Sequence, residues 1–137
     1  MSKQRVARCN CGKLSVETQG EPAWVSACSC QACQRRTGAP FGVMAFFPME
    51  QLSTAGNAKP WKRPCDSTNE AVHHFCPNCG STVYVESQAT PGTLAIAVGC
   101  FTDPDFPQPQ FAAWGEHRHN WIAFPEGCRE VEGQDFS

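Results

Sequence analysis

Seven of the chain's ten cysteines fall in three short segments: Cys9-Asn10-Cys11, Cys28-Ser29-Cys30-Gln31-Ala32-Cys33 and Cys76-Pro77-Asn78-Cys79. Thiols two or three residues apart converge readily on one ion, and thiolate is a favoured ligand of zinc. The two pairs supply four sulfurs, enough to close a tetrahedral structural zinc at Cys9, Cys11, Cys76 and Cys79. The triplet supplies only three. A zinc held by Cys28, Cys30 and Cys33 keeps one position for water or substrate, which is the arrangement of a catalytic ion. Such an ion can hold a substrate thiol as thiolate or polarise a carbonyl. The competing reading is a second closed site whose fourth ligand is Cys65, Cys100, Cys128 or a histidine. An iron–sulfur cluster at the triplet is a third, since spacing alone does not choose the metal. Two zinc ions per chain are the expectation.

Ten cysteines could instead form five disulfides, and the compartment decides between the two chemistries. The segment Met1-Ser2-Lys3-Gln4-Arg5-Val6-Ala7-Arg8 is basic without an apolar core, so it does not read as a signal peptide. No apolar run approaches the roughly 20 residues needed to span a bilayer. The expected location is therefore cytoplasmic, where clustered cysteines are metal ligands rather than bridges. Eleven Lys and Arg against thirteen Asp and Glu leave a net charge of -2, which argues against a nucleic-acid binder.

Other residues near these segments carry chemistry of their own. His73 and His74 precede Cys76 on an expected strand, so their side chains point to opposite faces. His117 and His119 share a face if their segment is extended, with Glu116 and Arg118 on the other. A histidine can shuttle protons or complete a metal site, although a packed or exposed ring is the plainer reading of any one of them. Arg35 and Arg36 follow the triplet directly. They can pair with an anionic zinc–thiolate centre, grip a substrate carboxylate, or stand solvated on a short helix. Cys65, Cys100 and Cys128 are isolated and read by default as small buried hydrophobes.

The elements that must hold these groups are mostly strands. Leu14 and Val16 alternate with polar residues, Phe41 to Phe47 is an apolar run ended by Pro48, and Thr82 to Val85 continues from the third cysteine segment. Leu94, Ile96 and Val98 alternate with small residues, and Phe111–Trp114 and Trp121–Phe124 read as late strands. Eleven prolines and eleven glycines mark short connections, with Asp103 to Gln110 a surface loop. One helical turn is expected over Gln31–Thr37, with Gly38 as its C-terminal cap. Gly12 and Gly80 follow the second cysteine of each pair, where a tight turn aims backbone amides at thiolate sulfur. The fold class is all-β, small sheets packed around the zinc sites, in a single domain spanning residues 1–137.

The order of motifs resembles a known family. Cys9 to Gly12, Cys28 to Phe41 and Phe75 to Ser81 look like those of the glutathione-dependent formaldehyde-activating enzymes, a group that includes centromere protein V. Gly99-Cys100-Phe101-Thr102-Asp103-Pro104 and Arg118 with Trp121 extend the likeness along nearly the whole chain. The resemblance implies an Mss4-like fold, a structural zinc at the two pairs and a catalytic-type zinc at the triplet. It implies a carbon–sulfur lyase run in the direction of synthesis, with a small thiol such as glutathione and an aldehyde as partners. There the thiolate attacks the aldehyde carbon to give S-hydroxymethylglutathione, and proximity at the metal supplies much of the acceleration. Two other readings compete: a non-catalytic binding module with two structural zincs, and a sensor whose triplet releases metal on oxidation.

Overall fold

Residues 3–64 and 70–134 are described here from a computed structural model. The elements run β1 (Gln4–Arg8), β2 (Ser15–Gln19), β3 (Trp24–Cys28), α1 (Gln31–Thr37), β4 (Gly42–Pro48), β5 (Leu52–Ala55), β6 (Lys59–Arg63), β7 (Ala71–Phe75), β8 (Thr82–Ser87), β9 (Thr93–Ala97), β10 (Phe111–Ala113) and β11 (Arg129–Glu130). Alternation divides them between two sheets. On β2, Val16 and Thr18 are buried while Glu17 between them is not, as a strand with one covered face requires. β1, β2 and β5 form a three-stranded antiparallel sheet, and the remaining strands form a second in the order β11-β10-β3-β4-β9-β8-β7-β6. Only β10 and β11 lie parallel to their neighbours in that second sheet.

The core sits between the sheets. Ala7, Leu14 and Val16 of the small sheet and its turn meet Val25, Ala45, Phe47 and Ile96 of the large one. Phe47, Leu14 and Ile96 are the largest fully buried side chains, and burying each contributes about 1.5–3 kcal/mol. Arg5 is buried at one edge, bonded to Glu21 and stacked over the Phe106 ring at 4.9 Å, so its charge is paired rather than stranded. The large sheet therefore spends one face on this core. Its other face is left to line a cavity.

The all-β class and the single short helix after the triplet are as the sequence implies. α1 spans Gln31–Thr37 and ends on Gly38, whose φ of 67° is the left-handed cap conformation. The apolar run forms β4, and Pro48, expected to stop it, is its last paired residue, opposite Thr93. Trp121–Phe124 is not a strand. That segment follows a turn in which the Ile122 amide bonds back to the His119 carbonyl at 3.0 Å, while the Arg118 guanidinium takes up the Ile122 carbonyl. Its backbone is engaged locally, Trp121 is 72 % exposed, and no strand among the described residues pairs with it. Among the described residues no helix is long and apolar enough to cross a membrane.

Candidate metal centres

The two cysteine pairs close two turns built alike. Cys9–Gly12 lies in the β1–β2 connection and Cys76–Gly80 in the β7–β8 connection. In each, the glycine amide bonds to the carbonyl of the first cysteine, at 3.1 Å for Gly12 and 2.8 Å for Gly80. Both glycines have φ of 82°, a conformation that other residues reach only with strain. The Asn10 amide donates to the Ser81 hydroxyl at 3.1 Å, stitching one turn to the other. The Leu14 amide donates to Cys9 Sγ at 3.2 Å.

All four sulfurs of Cys9, Cys11, Cys76 and Cys79 lie within 4.8 Å of one another, and the Cys9–Cys11 and Cys11–Cys76 separations are both 3.6 Å. A zinc with bonds of about 2.3 Å sets the sulfurs of a regular tetrahedron about 3.8 Å apart, so the set matches such an ion. Hydrogen bonds from the Ser81 hydroxyl and amide, then from the Cys11 amide, pull the Cys79 thiol down to about 5. These turns form a clasp that joins the small sheet to the far end of the large one.

The triplet has a different frame. Cys28 ends β3, Cys30 caps α1 with its sulfur accepting the Cys33 amide at 3.3 Å, and Cys33 lies in the first turn. The helix is tied down by Gln34, whose side-chain amide donates to the Ser29 carbonyl at 2.8 Å and the His117 carbonyl at 3.2 Å. The three sulfurs again lie within 4.8 Å of one another. Hydrogen bonds from Cys28 and then Cys33 hold the Cys30 thiol down at about 2, with the charge of Arg63 adding to the effect. Cys28 moves the opposite way, pushed up by its bond to Cys30, then by Cys33 and by burial. The cluster thus carries a negative charge on one sulfur even when its neighbours are protonated.

Beside these thiols the uncovered face of the large sheet forms a cavity of about 300 Å³. Cys28, Met44, Phe46, Val85 and His73 line it, and Cys33, Arg36 and Arg63 close it. Arg36, Arg63 and His73 also line a second cleft of about 550 Å³, which runs past Trp61 and Phe75 to Gly80 at the clasp. His73 is buried and packs edge-on to Trp61 at 5.5 Å. Burial, followed by the charges of Arg36, Arg63 and His74, lowers its pKa to about 4, so it is neutral at pH 7.

The remaining candidates fall elsewhere. Arg35 is exposed and reaches only the outer cleft. His74 points away from His73, as alternation requires, to stack on Tyr84 at 4.6 Å and pair with Glu86 at 3.2 Å. His117 and His119 do not form the pair an extended segment would give. Gly115–His117 is a 3-10 turn instead, with His117 stacked on Trp114 and His119 edge-on to Trp121. Cys100 and Cys128 are half-buried, with thiols raised chiefly by burial, and among the described residues no fourth His, Cys, Asp or Glu joins the triplet. Cys65 lies outside the described residues. Arg63 is the cavity residue that no motif marks. Its signal is the alternation of Trp61 and Arg63 on β6 opposite His73 and Ala71 on β7.

Comparison with known proteins follows the same lines. The sequence profile of the family described as glutathione-dependent formaldehyde-activating enzyme matches residues 4–117. A Fusarium vanettenii protein provisionally named for that activity is 30% identical over 112 residues, covering 78% of this chain and 60% of its own length. An Aspergillus flavus protein of the same provisional name is 32% identical over 76 residues, 56% of this chain and 39% of its own. The chain thus spans about 60% of the length of the first of these curated relatives and 39% of the second. A crystal structure of a Rhodobacter sphaeroides protein superposes with a TM-score of 0.57 at 22% identity, covering 72% of this chain and 91% of that one, a likeness of fold.

Proposed function

We propose, starting from a chain that belongs to the glutathione-dependent formaldehyde-activating enzyme family, that it is a zinc-dependent carbon–sulfur lyase acting on a thiol–aldehyde adduct such as S-hydroxymethylglutathione. Cys9, Cys11, Cys76 and Cys79 hold a structural zinc, and Cys28, Cys30 and Cys33 hold the ion at which chemistry occurs. The observation that carries this reading is three clustered thiols, two of which, Cys28 and Cys33, line a cavity with two guanidinium groups, and no fourth described donor in reach. When bound there, zinc supplies one free coordination position, which lowers the pKa of a substrate thiol.

The chain's own residues do the rest. β3 and α1 fix the three sulfurs relative to one another, because Cys28 belongs to a paired strand and Cys30 and Cys33 to a capped helix. The face formed by Met44, Phe46 and Val85 is apolar and excludes water from the reacting pair. Arg36 and Arg63 balance the excess negative charge of a trithiolate centre. In the synthetic direction a carbon–sulfur bond forms between thiolate and aldehyde carbon, the carbonyl π pair moves to oxygen, and the proton lost from the thiol ends on that oxygen. Holding both partners in a cavity of about 300 Å³ supplies the proximity such an addition needs.

The test is the rate of S-hydroxymethylglutathione formation from glutathione and formaldehyde, followed by NMR against the spontaneous reaction, together with zinc content per chain. Two zinc ions, one of them perturbed by glutathione, and a rate above background are expected. Two ions indifferent to thiols, with no acceleration, would instead favour a binding module with two structural sites. A Cys65→Ser chain that keeps both ions and its rate would show that Cys65 does not close the second site.

A further inference from the structure

A sheet face with no layer packed over it ordinarily carries polar side chains. The face of the large sheet beside the triplet departs from that rule. There β4 presents Met44 and Phe46, β9 presents Ala95 and β8 presents Val85, all on the wall of the thiol cavity. Register makes a row of them, since Phe46 pairs with Ala95 and Ala95 with Val85. Residues opposite one another in an antiparallel pair point to the same face. The core lies on the reverse side, with Ala45, Phe47 and Ile96. The strip is also braced, because the Phe46 ring stacks on Trp24 at 4.7 Å and 14° from parallel.

The strip starts at the triplet. Gly42 pairs with Cys28, and Phe46 stands four residues further along β4, a run of about 13 Å. The space before it is about 300 Å³, whereas an apolar cavity of about 150 Å³ already holds a benzene ring. Formaldehyde, with one carbon, leaves most of such a wall against water. Ala95 keeps the space open. It is the small member of the row between Phe46 and Val85, it is 6 % exposed, and a longer side chain there projects into the cavity. The body of the thiol does not need this room, because the cleft of about 550 Å³ beyond Arg36 and His73 is separate and larger.

We propose that this strip seats an apolar body on the carbonyl partner, that Ala95 sets the size accepted, and that the aldehyde carries a ring or a medium-length alkyl chain. The proposal rests on the triplet being the thiol-binding centre. The step is the addition described above, with no change of oxidation state. A carbon–sulfur bond forms between thiolate and carbonyl carbon, the π pair moves to oxygen, and the proton of the thiol ends there. The strip binds the part of the substrate that does not react, and each methylene buried on it is worth about a fourfold gain in affinity.

The test titrates formamide and hexanamide into the zinc-loaded protein, followed by NMR. Amides share the carbonyl but do not add thiols, so binding is read apart from turnover. Hexanamide is expected to bind about 10- to 100-fold more tightly than formamide, with shifts at Met44, Phe46, Val85 and Ala95. Ala95→Leu should remove most of that preference with zinc content unchanged. Met44→Ala, which enlarges the cavity, should move the preference towards octanamide, and it decides alone if Ala95→Leu does not fold. Equal affinity for the two amides, no binding by either, or a preference that neither substitution moves overturns the proposal. In turnover with glutathione, hexanal should gain more over its spontaneous rate than formaldehyde does. Acceleration confined to formaldehyde overturns this proposal and leaves the catalytic reading intact. Acceleration of neither sinks the catalytic reading, and the amide titration still decides whether the strip holds an apolar carbonyl compound.

Discussion

Around Cys9 and Cys76 each sulfur belongs to a turn whose backbone is bonded to itself, and the two turns are bonded to each other through Asn10 and Ser81. Around Cys28 the sulfurs belong to a strand end and a helix start, and Cys28 and Cys33 line a cavity whose other walls come largely from β4, β6, β7 and β8. The side chains are the same; what differs is what surrounds them. A site that must only hold its ion is enclosed by short-range backbone geometry. One that must also admit a reactant needs vacant space and charges set by distant parts of the chain. The comparison predicts that damage to the first is felt as lost fold and damage to the second as lost chemistry.

The strongest way to break that comparison is to exchange the effects. Cys76→Ser removes a buried ligand of the clasp and should cost more than about 4 kcal/mol, leaving the chain largely unfolded at 37 °C. Cys30→Ser should lower turnover by at least about a thousandfold, while one zinc remains and thermal unfolding shifts by only a few degrees. Denaturation curves of the two variants decide the matter: similar losses of stability would mean that the sites do not divide their labour.

A finer probe is pH. His73 ionises near 4 in the folded chain against an ordinary 6.5, so between these values the unfolded chain takes up a proton that the fold refuses. Its neutral state costs nothing above pH 6.5, and stability falls as pH drops from 6.5 towards 4, by no more than about 3 kcal/mol. Urea midpoints of wild type should fall more steeply than those of His73→Gln as pH drops from 6.5 towards 4. Parallel curves would show that the cavity does not suppress the charge of this ring. The smallest effect is expected from a mild chelator, which should extract one of two zinc ions at an unchanged far-UV circular dichroism spectrum. Simultaneous loss of both would place the two sites in one energetic unit.

What could be read from the sequence follows from how local each feature is. The three cysteine segments, the helix over Gln31–Thr37 and its Gly38 cap are set by residues within a few positions of one another, and spacing alone shows them. The meeting of Arg36, Arg63 and His73 depends on register. Trp61 pairs with His73 and Arg63 with Ala71, and the strands between β7 and β4 must then bring that hairpin round to α1. Nothing in a run of residues encodes so long a path. Trp121–Phe124 fails for the complementary reason. Its residues are apolar enough for a strand, but a strand exists only with a partner, and local bonds from Arg118 and Ile122 had already claimed that backbone. Phe124 still packs, edge-on to Phe41 at 5.1 Å, without joining a sheet.

The β7–β8 hairpin carries His73 on one strand and Cys76 and Cys79 at its turn, and it comes late in the chain. As the polypeptide leaves the ribosome, Cys28, Cys30 and Cys33 are available together within six residues, whereas Cys9 and Cys11 must wait for partners 65 residues further on. Synthesis at about 5–20 residues per second makes that wait several seconds. During it the three triplet thiols are already together, whereas Cys9 and Cys11 stand without the other two cysteines of their cluster. On the proposed division of roles, the clasp that holds the fold is the later of the two clusters to be completed.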